Sequence, residues 1–124
     1  NTTWPNLRIL RIAGNKITEE GAAAIASNTV WTNLQELNLE KNQLKNKGAA
    51  ALGGNTTWKG LQKLILNESK ITDEGIAAIA ANTQWTGLQE LRLNQNEIGD
   101  KGITTMVKNS SWKNLKTLRL SGNK

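Results

Sequence analysis

A fixed 27-residue spacing of tryptophan constrains the fold of this 124-residue chain more than any other feature. Tryptophan is the only aromatic residue type in the sequence. The five tryptophans are Trp4, Trp31, Trp58, Trp85 and Trp112, and each follows the previous one after 27 residues. Aligning the repeats on tryptophan brings three apolar columns and one polar column into register: Leu7, Leu34, Leu61, Leu88 and Leu115; Leu10, Leu37, Leu64, Leu91 and Leu118; Ile12, Leu39, Leu66, Leu93 and Leu120; and Asn15, Asn42, Ser69, Asn96 and Asn123. A period of this length indicates a solenoid of stacked supersecondary units.

Each repeat contains a strand pattern followed by a helix pattern. The alternation of leucine with polar residues, as from Leu37 to Leu39, predicts a short strand with its leucines on one face. The run GAAAIA, from Gly21 to Ala26, consists largely of strong helix formers. Strands that are joined through a helix run parallel, with right-handed crossovers. Strands lie ~4.8 Å apart and packed helices ~8–10 Å apart, so the array should bend with its strands inside.

Polar residues near the ends of these elements have predicted structural roles. Thr18 and Thr72 stand where a threonine side chain can cap the following helix, just ahead of acidic residues that suit the positive end of a helix. The asparagine that follows each strand can turn its side-chain amide onto free backbone groups of neighbouring turns.

The motif LxxLxLxxN, seen as LQELNLEKN from Leu34 to Asn42, resembles the leucine-rich repeat family. The stretch that follows it, NxIxxxGAxAIA, is similar to the ribonuclease-inhibitor-like class, whose repeats combine a β-strand with an α-helix. The resemblance covers essentially the whole chain. It implies an α/β leucine-rich repeat solenoid, a right-handed horseshoe with a parallel β-sheet on the concave face and α-helices on the convex face. It also implies an asparagine ladder in which Ser69 is the weak rung.

The repeats predict a single leucine-rich repeat domain over residues 1–124, with about four and a half repeats. The sequence starts within a repeat and stops just after the fifth strand pattern, whereas solenoids usually close with polar capping repeats. We therefore expect a segment of a longer array. We also expect open strand edges around Arg8–Ile12 and Lys116–Leu120, and self-association through these uncapped ends.

The repeated tryptophans allow two interpretations. Indoles exposed on a groove can stack bases or sugars, at roughly 1–3 kcal/mol for each stacked base. Buried indoles would instead form a structural spine. Each tryptophan lies three residues before a column leucine, which is the inward register. We therefore predict burial, with each indole packed against the indole of the next repeat.

A glycosylation sequon begins at the same position of each repeat, at Asn28, Asn55, Asn82 and Asn109. The alternative is that this asparagine ends each helix, where a left-handed conformation is tolerated. Its fixed place in the repeat favours the structural role. Together with the absence of cysteine and of a signal-like segment in the sequence, this favours a cytoplasmic location.

The sequence offers little for catalysis or cofactor binding. It contains no cysteine and no histidine, so the commonest general base and the commonest metal ligands are missing. It has no glycine-rich phosphate loop and no candidate triad, and the adjacent acids Asp73 and Glu74 fit the start of a helix. The longest apolar run is far too short to span a membrane. We predict no enzymatic activity, no cofactor, no metal site and no membrane partner.

The positions between the strand leucines are the strongest functional signal. They project onto the predicted concave face and differ from repeat to repeat, whereas the framework columns barely change. The predicted partner-binding residues are Ile9, Arg11, Glu36, Asn38, Lys63, Ile65, Glu90, Arg92, Thr117 and Arg119. They predict a non-catalytic scaffold that binds a protein partner of unknown identity. The alternative is that they are merely solvated strand residues.

The net charge of +6 raises a second possibility for the partner. Arg11, Arg92 and Arg119 share one column, and the last ten residues carry a charge of +3. A polyanion or nucleic acid that binds this column and the C-terminal end is therefore the alternative. The rest of the surplus is spread thinly, and phosphate recognition needs a concentrated patch, so nucleic acid is the less favoured partner.

Overall fold

The computed structural model describes residues 3–109 and 111–123, in which strands and helices alternate. The strands are Ile9–Arg11 (β1), Glu36–Asn38 (β2), Lys63–Ile65 (β3), Glu90–Arg92 (β4) and Thr117–Arg119 (β5). The helices are Glu19–Ala26 (α1), Lys45–Gly53 (α2), Asp73–Ala80 (α3) and Asp100–Val107 (α4). Each strand therefore follows its predecessor after one helix.

The five strands form one parallel sheet in chain order, from β1 to β5. Neighbouring strands pair with an offset of one repeat, so that Leu37 lies opposite Leu10 on one side and Leu64 on the other. This parallel order follows because every crossover passes through a helix. The predicted α/β solenoid is confirmed. The strands β1 and β5 are the outer strands, and self-association through their edges stays a prediction.

The leucine columns and the inward faces of the helices form a continuous core. Leu37, Leu64 and Leu91, the central residues of the three inner strands, are fully buried. Burial weakens in the outer strands, where Leu10 is only partly buried and Leu118 is 39% exposed. An outer strand has a neighbour on one side only, so its apolar side chains are packed less completely than those of the inner strands.

Four tryptophans are buried in this core: Trp31, Trp58, Trp85 and Trp112. The spine interpretation is confirmed for these four, whereas Trp4 is 59% exposed. The predicted stacking of each indole on the next is confirmed for Trp4 with Trp31, whose ring centroids lie 6.3 Å apart. It is wrong for the remaining neighbours, since the described residues show no other stacked pair. The buried indoles of Trp58, Trp85 and Trp112 belong instead to the core cluster of leucine and isoleucine side chains.

The asparagine ladder is confirmed, and Asn96 shows how it connects adjacent repeats. Its Oδ1 accepts hydrogen bonds from the N–H groups of Ser69, at 3.0 Å, and Ile71, at 3.1 Å. Its Nδ2 donates to the carbonyl of Leu66 at 2.9 Å. The shorter Ser69 side chain donates within its own turn, to the carbonyl of Asn67 at 3.1 Å. Serine is therefore the weak rung of the ladder.

The predicted threonine caps are wrong. Thr18 and Thr72 occupy the N-cap positions of α1 and α3, yet neither side chain caps its helix. Asn46 of the preceding repeat caps α3, because its Oδ1 accepts from the N–H groups of Thr72, at 2.9 Å, and Gly75, at 3.0 Å. The Thr72 hydroxyl instead accepts a hydrogen bond from Asn46 Nδ2 at 2.8 Å. A Cβ at Gly75 would lie 2.4 Å from this Oδ1, so glycine leaves room for the cap.

The next helix, α4, is capped in the same way from the preceding repeat. Asp73 lies in the first turn of α3, and its Oδ1 accepts from the N–H groups of Gly99, at 2.7 Å, and Gly102, at 3.1 Å. A carboxylate suits this place because the helix N-terminus carries free N–H groups and a positive dipole end. The first turn of one helix therefore supplies the cap of the next.

The sequon asparagines have a structural role, but not in the predicted geometry. The described non-glycine residues with positive φ are Trp4, Lys41, Lys45, Glu68, Lys70 and Gln95, so the expected left-handed conformation is wrong. Instead, Oδ1 of Asn28 and of Asn82 accepts from the N–H of the following tryptophan, at 2.8 Å and 3.0 Å. The Asn82 Nδ2 also donates to the carbonyl of Gly53 at 2.8 Å. Each asparagine thus fixes the turn that leads into the next repeat.

Candidate interaction surface

The structure brings all the predicted partner-binding residues together on one face of the sheet. They flank the buried central leucine of each strand and form two columns across the five strands. The first column contains Ile9, Glu36, Lys63, Glu90 and Thr117, and the second contains Arg11, Asn38, Ile65, Arg92 and Arg119. This surface, called the concave face below, is continuous because the register is constant from strand to strand.

Members of the concave face differ in exposure. Ile9 is 49% exposed, and the Arg119 side chain is 54% exposed. Ile65 is only 3% exposed, although it lies outside the main core cluster. It is paired with Asn38 and Arg92 in the middle of the sheet, where neighbouring side chains surround it on both sides. Ile65 therefore offers a partner little contact area.

The charges on β1 and β2 are paired with each other. Arg11 Nε donates to Glu36 Oε1 at 2.9 Å, and Arg11 Nη2 donates to Glu36 Oε2 at 3.3 Å. These hydrogen bonds lower the pKa of Glu36 and raise the pKa of Arg11. A bidentate pair of this kind satisfies both groups, so this part of the concave face is electrically balanced.

The charges on β3 to β5 converge on one carboxylate, and we call these four residues the glutamate cluster: Lys63, Glu90, Arg92 and Arg119. Arg92 Nε hydrogen-bonds Glu90 Oε2. Arg119 Nε lies 3.8 Å from the same oxygen, and Lys63 Nζ lies 4.0 Å from Glu90 Oε1. The hydrogen bond from Arg92 is the main cause of the lowered pKa of Glu90, and the charges of all three cations add to it.

Next to the glutamate cluster lies an open depression of about 210 Å³. Its lining residues are Gln62, Lys63, Gln89, Glu90, Lys116 and Thr117. Of these, Gln62 and Gln89 were not predicted as site residues, and Lys116 was predicted only as part of the basic C-terminal end. A signal was present, since glutamine follows the first column leucine at 35, 62 and 89.

A neighbouring polar column has a structural role that sequence analysis also missed. Asn67 Nδ2 donates to Glu40 Oε2 at 2.9 Å, and Asn67 Oδ1 accepts from the Asn94 N–H at 2.7 Å. Asn94 Oδ1 continues the chain by accepting from the Ser121 N–H at 2.8 Å. These side chains connect successive turns, so they define the border of the concave face.

Two further properties of the described residues bear on the site. In residues 3–109 and 111–123, no three acidic, cysteine or histidine side chains are grouped so that they could hold a metal ion. Over the same part of the chain, no helix is long and apolar enough to cross a membrane.

Comparisons with known proteins identify the repeat. The profile of a family described as "Leucine Rich repeat" matches residues 5–26, 32–53, 61–80 and 86–107. Among solved structures, the chain is similar to one titled "Leiomodin-1 Actin-Binding Site 2 (ABS2)", with a TM-score of 0.75 and 23% sequence identity. That similarity covers 94% of this chain and 71% of the other, and it shows a shared fold. The search of curated proteins gave no match.

Proposed function

Because the chain belongs to the leucine-rich repeat family, we propose that it is a non-catalytic scaffold that binds a protein partner through its concave face. The observation that carries this proposal is the contrast between framework and surface. The strand leucines Leu37, Leu64 and Leu91 are identical and fully buried. The residues on either side of them change in charge, size and polarity from one strand to the next.

A surface that is merely solvated would not need side chains that are fixed in position. The side chains of the concave face are held by the sheet register and by pairs such as Arg11 with Glu36. Side chains that are already held in place lose less conformational entropy when a partner binds. The leiomodin-1 structure, whose title names an actin-binding site, supports the proposal at the level of fold; it does not extend the actin partner to this chain.

Two finer proposals accompany this one. The combination of one strand and one α-helix in successive repeats supports the ribonuclease-inhibitor-like class. The burial of Asn28, Asn55 and Asn82 supports a cytoplasmic location, because a glycan on these side chains is incompatible with the folded chain.

The polyanion alternative is less well supported. Arg11 is engaged by Glu36, and Arg92 by Glu90, so two members of the arginine column are already paired with carboxylates. A polyanion complex should weaken steeply between low and moderate ionic strength. A complex with a protein that relies on the whole concave face should respond less.

The experiment is affinity capture from cell extract with matched variants. Ile9→Glu with Thr117→Glu places negative charge on the concave face, and Ala23→Glu with Ala50→Glu adds the same charge to exposed positions of α1 and α2. We expect the concave pair to reduce capture of the wild-type partner at least about tenfold, the equivalent of 1.4 kcal/mol. The helix pair should leave capture unchanged. Equal loss with both variants, or loss with the helix pair alone, would contradict the proposal.

A further inference from the structure

The concave face is divided into two halves of different charge. On β1 and β2, one arginine and one glutamate form a balanced pair. On β3 to β5, the glutamate cluster sets one carboxylate against three cations. Lys116, which lines the adjacent depression, adds a fourth cation. The positive excess of the concave face therefore lies on β3 to β5.

The cations of the glutamate cluster are incompletely satisfied by Glu90. Its Oε2 already accepts a hydrogen bond from Arg92. Arg119 Nε, at 3.8 Å, and Lys63 Nζ, at 4.0 Å, lie beyond hydrogen-bond distance of the carboxylate. Their side chains are 54% and 32% exposed. Both can therefore donate to a second carboxylate without leaving the first.

We infer that this half of the concave face binds an acidic segment of a protein partner, one with closely spaced aspartate or glutamate side chains. The inference rests on the proposed function and names the partner's chemistry. Glu90 shows that the cations are positioned around a carboxylate. The amides of Gln62 and Gln89 line the depression beside it, where they can bond to the peptide backbone of the segment.

An acidic protein segment fits this surface better than a nucleic acid. Single-stranded nucleic acids bind grooves that combine a track of cations with aromatic side chains on which bases stack. The residues of the concave face include no aromatic side chain, and Trp58 and Trp85 are fully buried. The cations converge on one point rather than following a track.

The test uses fluorescence anisotropy with three labelled probes. They are a short peptide of alternating glutamate and glycine, the same peptide with glutamine in place of glutamate, and a single-stranded oligothymidylate. The intact chain should bind the glutamate peptide, and it should bind the glutamine peptide and the oligothymidylate at least about tenfold more weakly.

Substitutions test whether the glutamate peptide binds at the glutamate cluster. Lys63→Gln with Arg119→Gln should weaken binding of the glutamate peptide about tenfold, since each removes a charge-assisted contact. Lys101→Gln with Lys108→Gln removes the same charge from exposed positions on and just after α4 and should change binding less than about twofold. Glu90→Gln should tighten binding about threefold, because it frees all three cations for the probe. Thermal unfolding of each variant checks that it is folded.

Three results would overturn the inference: equal binding of the oligothymidylate and the glutamate peptide, equal weakening by the two double variants, or unchanged binding after Glu90→Gln. If the glutamate peptide does not bind while Ile9→Glu with Thr117→Glu still abolishes partner capture, the scaffold proposal stands and the acidic partner is wrong. If neither effect occurs, both are wrong.

Discussion

At the scale of single residues, one turn position in every repeat requires a left-handed backbone. It is occupied by Gly14, Lys41, Glu68, Gln95 and Gly122, with φ of 70°, 58°, 50°, 58° and 72°. Glycine adopts this conformation readily, whereas a side chain costs about 1–2 kcal/mol. Three of the five repeats therefore carry backbone strain that glycine would relieve.

Replacement of Lys41 by glycine should stabilise the chain. Relief of about 1–2 kcal/mol exceeds the cost of about 0.5–1 kcal/mol from the greater freedom of glycine in the unfolded chain. We expect a net gain of about 0.5–1 kcal/mol in the free energy of unfolding, measured in urea. The reciprocal change Gly14→Lys should cost a similar amount, because a Cβ there has nothing within 4 Å. A loss of stability on Lys41→Gly would refute this explanation.

The paired glutamates predict a pH dependence. The pKa values of Glu36 and Glu90 are lowered from about 4.5 by hydrogen bonds to arginine. A carboxylate with a lowered folded-state pKa stabilises the chain above its unfolded pKa, and this contribution disappears as the pH falls through the folded pKa. Glu36→Gln with Glu90→Gln should therefore reduce the loss of stability between about pH 5 and pH 3.

The effect should be small for each pair, because the partner arginines are exposed to solvent, which screens their charge. Unfolding in urea at each pH measures it. Glu68→Gln with Glu97→Gln, at exposed positions, is the matched control. An identical acid response in both double variants would show that the ion pairs do not contribute.

The tryptophans differ enough in exposure to be separated by experiment. Trp58→Ala removes a fully buried indole and should cost about 3–5 kcal/mol. Trp4→Ala removes one that is 59% exposed and should cost much less. In the wild type, iodide should quench mainly the emission of Trp4. Ready quenching of most of the indoles would contradict the buried spine.

At the scale of elements, the starts of α3 and α4 depend on the repeat before them. Asp73→Ala should lower the free energy of unfolding by about 1–2 kcal/mol, since the N-terminus of α4 loses its cap. Asp100→Ala is the matched control, because Asp100 holds the equivalent place in the first turn of α4 and caps none of the described helices. Both changes remove a first-turn carboxylate, so their difference in urea unfolding isolates the cap. Equal losses would contradict cross-repeat capping.

The strand register could be predicted from the sequence, whereas the helix caps could not. The 27-residue period placed Leu37, Leu64 and Leu91 side by side, because a constant repeat fixes the register of parallel strands. For the same reason, the residues flanking these leucines were found together on one face. Helix caps such as Asn46 were missed, since a cap from another repeat depends on how closely two helices approach.

The ion pairs of the concave face could not be predicted from the pattern of a single repeat either. From the sequence, Arg11 and Arg92 were predicted to be partner-binding residues of one column. Their carboxylate partners, Glu36 and Glu90, depend on side-chain conformations across and along strands. The burial of Ile65 likewise results from neighbours on both sides in the sheet.

At the scale of the whole molecule, one side of the solenoid carries the sheet and its variable polar surface, and the helices lie on the other. The helix side is supported by small residues such as Ala22 and Ala49, which are fully buried, and by the cross-repeat caps of α3 and α4. This rigid support allows the concave residues to change without disturbing the core. The proposed binding function depends on that division.

Site-specific photo-crosslinking tests the division most directly. A photoreactive amino acid replaces exposed Gln62, beside the glutamate cluster, or exposed Glu74, at the start of α3. With the captured partner present, we predict a crosslinked product from position 62 and none from position 74. Crosslinking from position 74 alone would place the partner on the helices and contradict binding through the concave face.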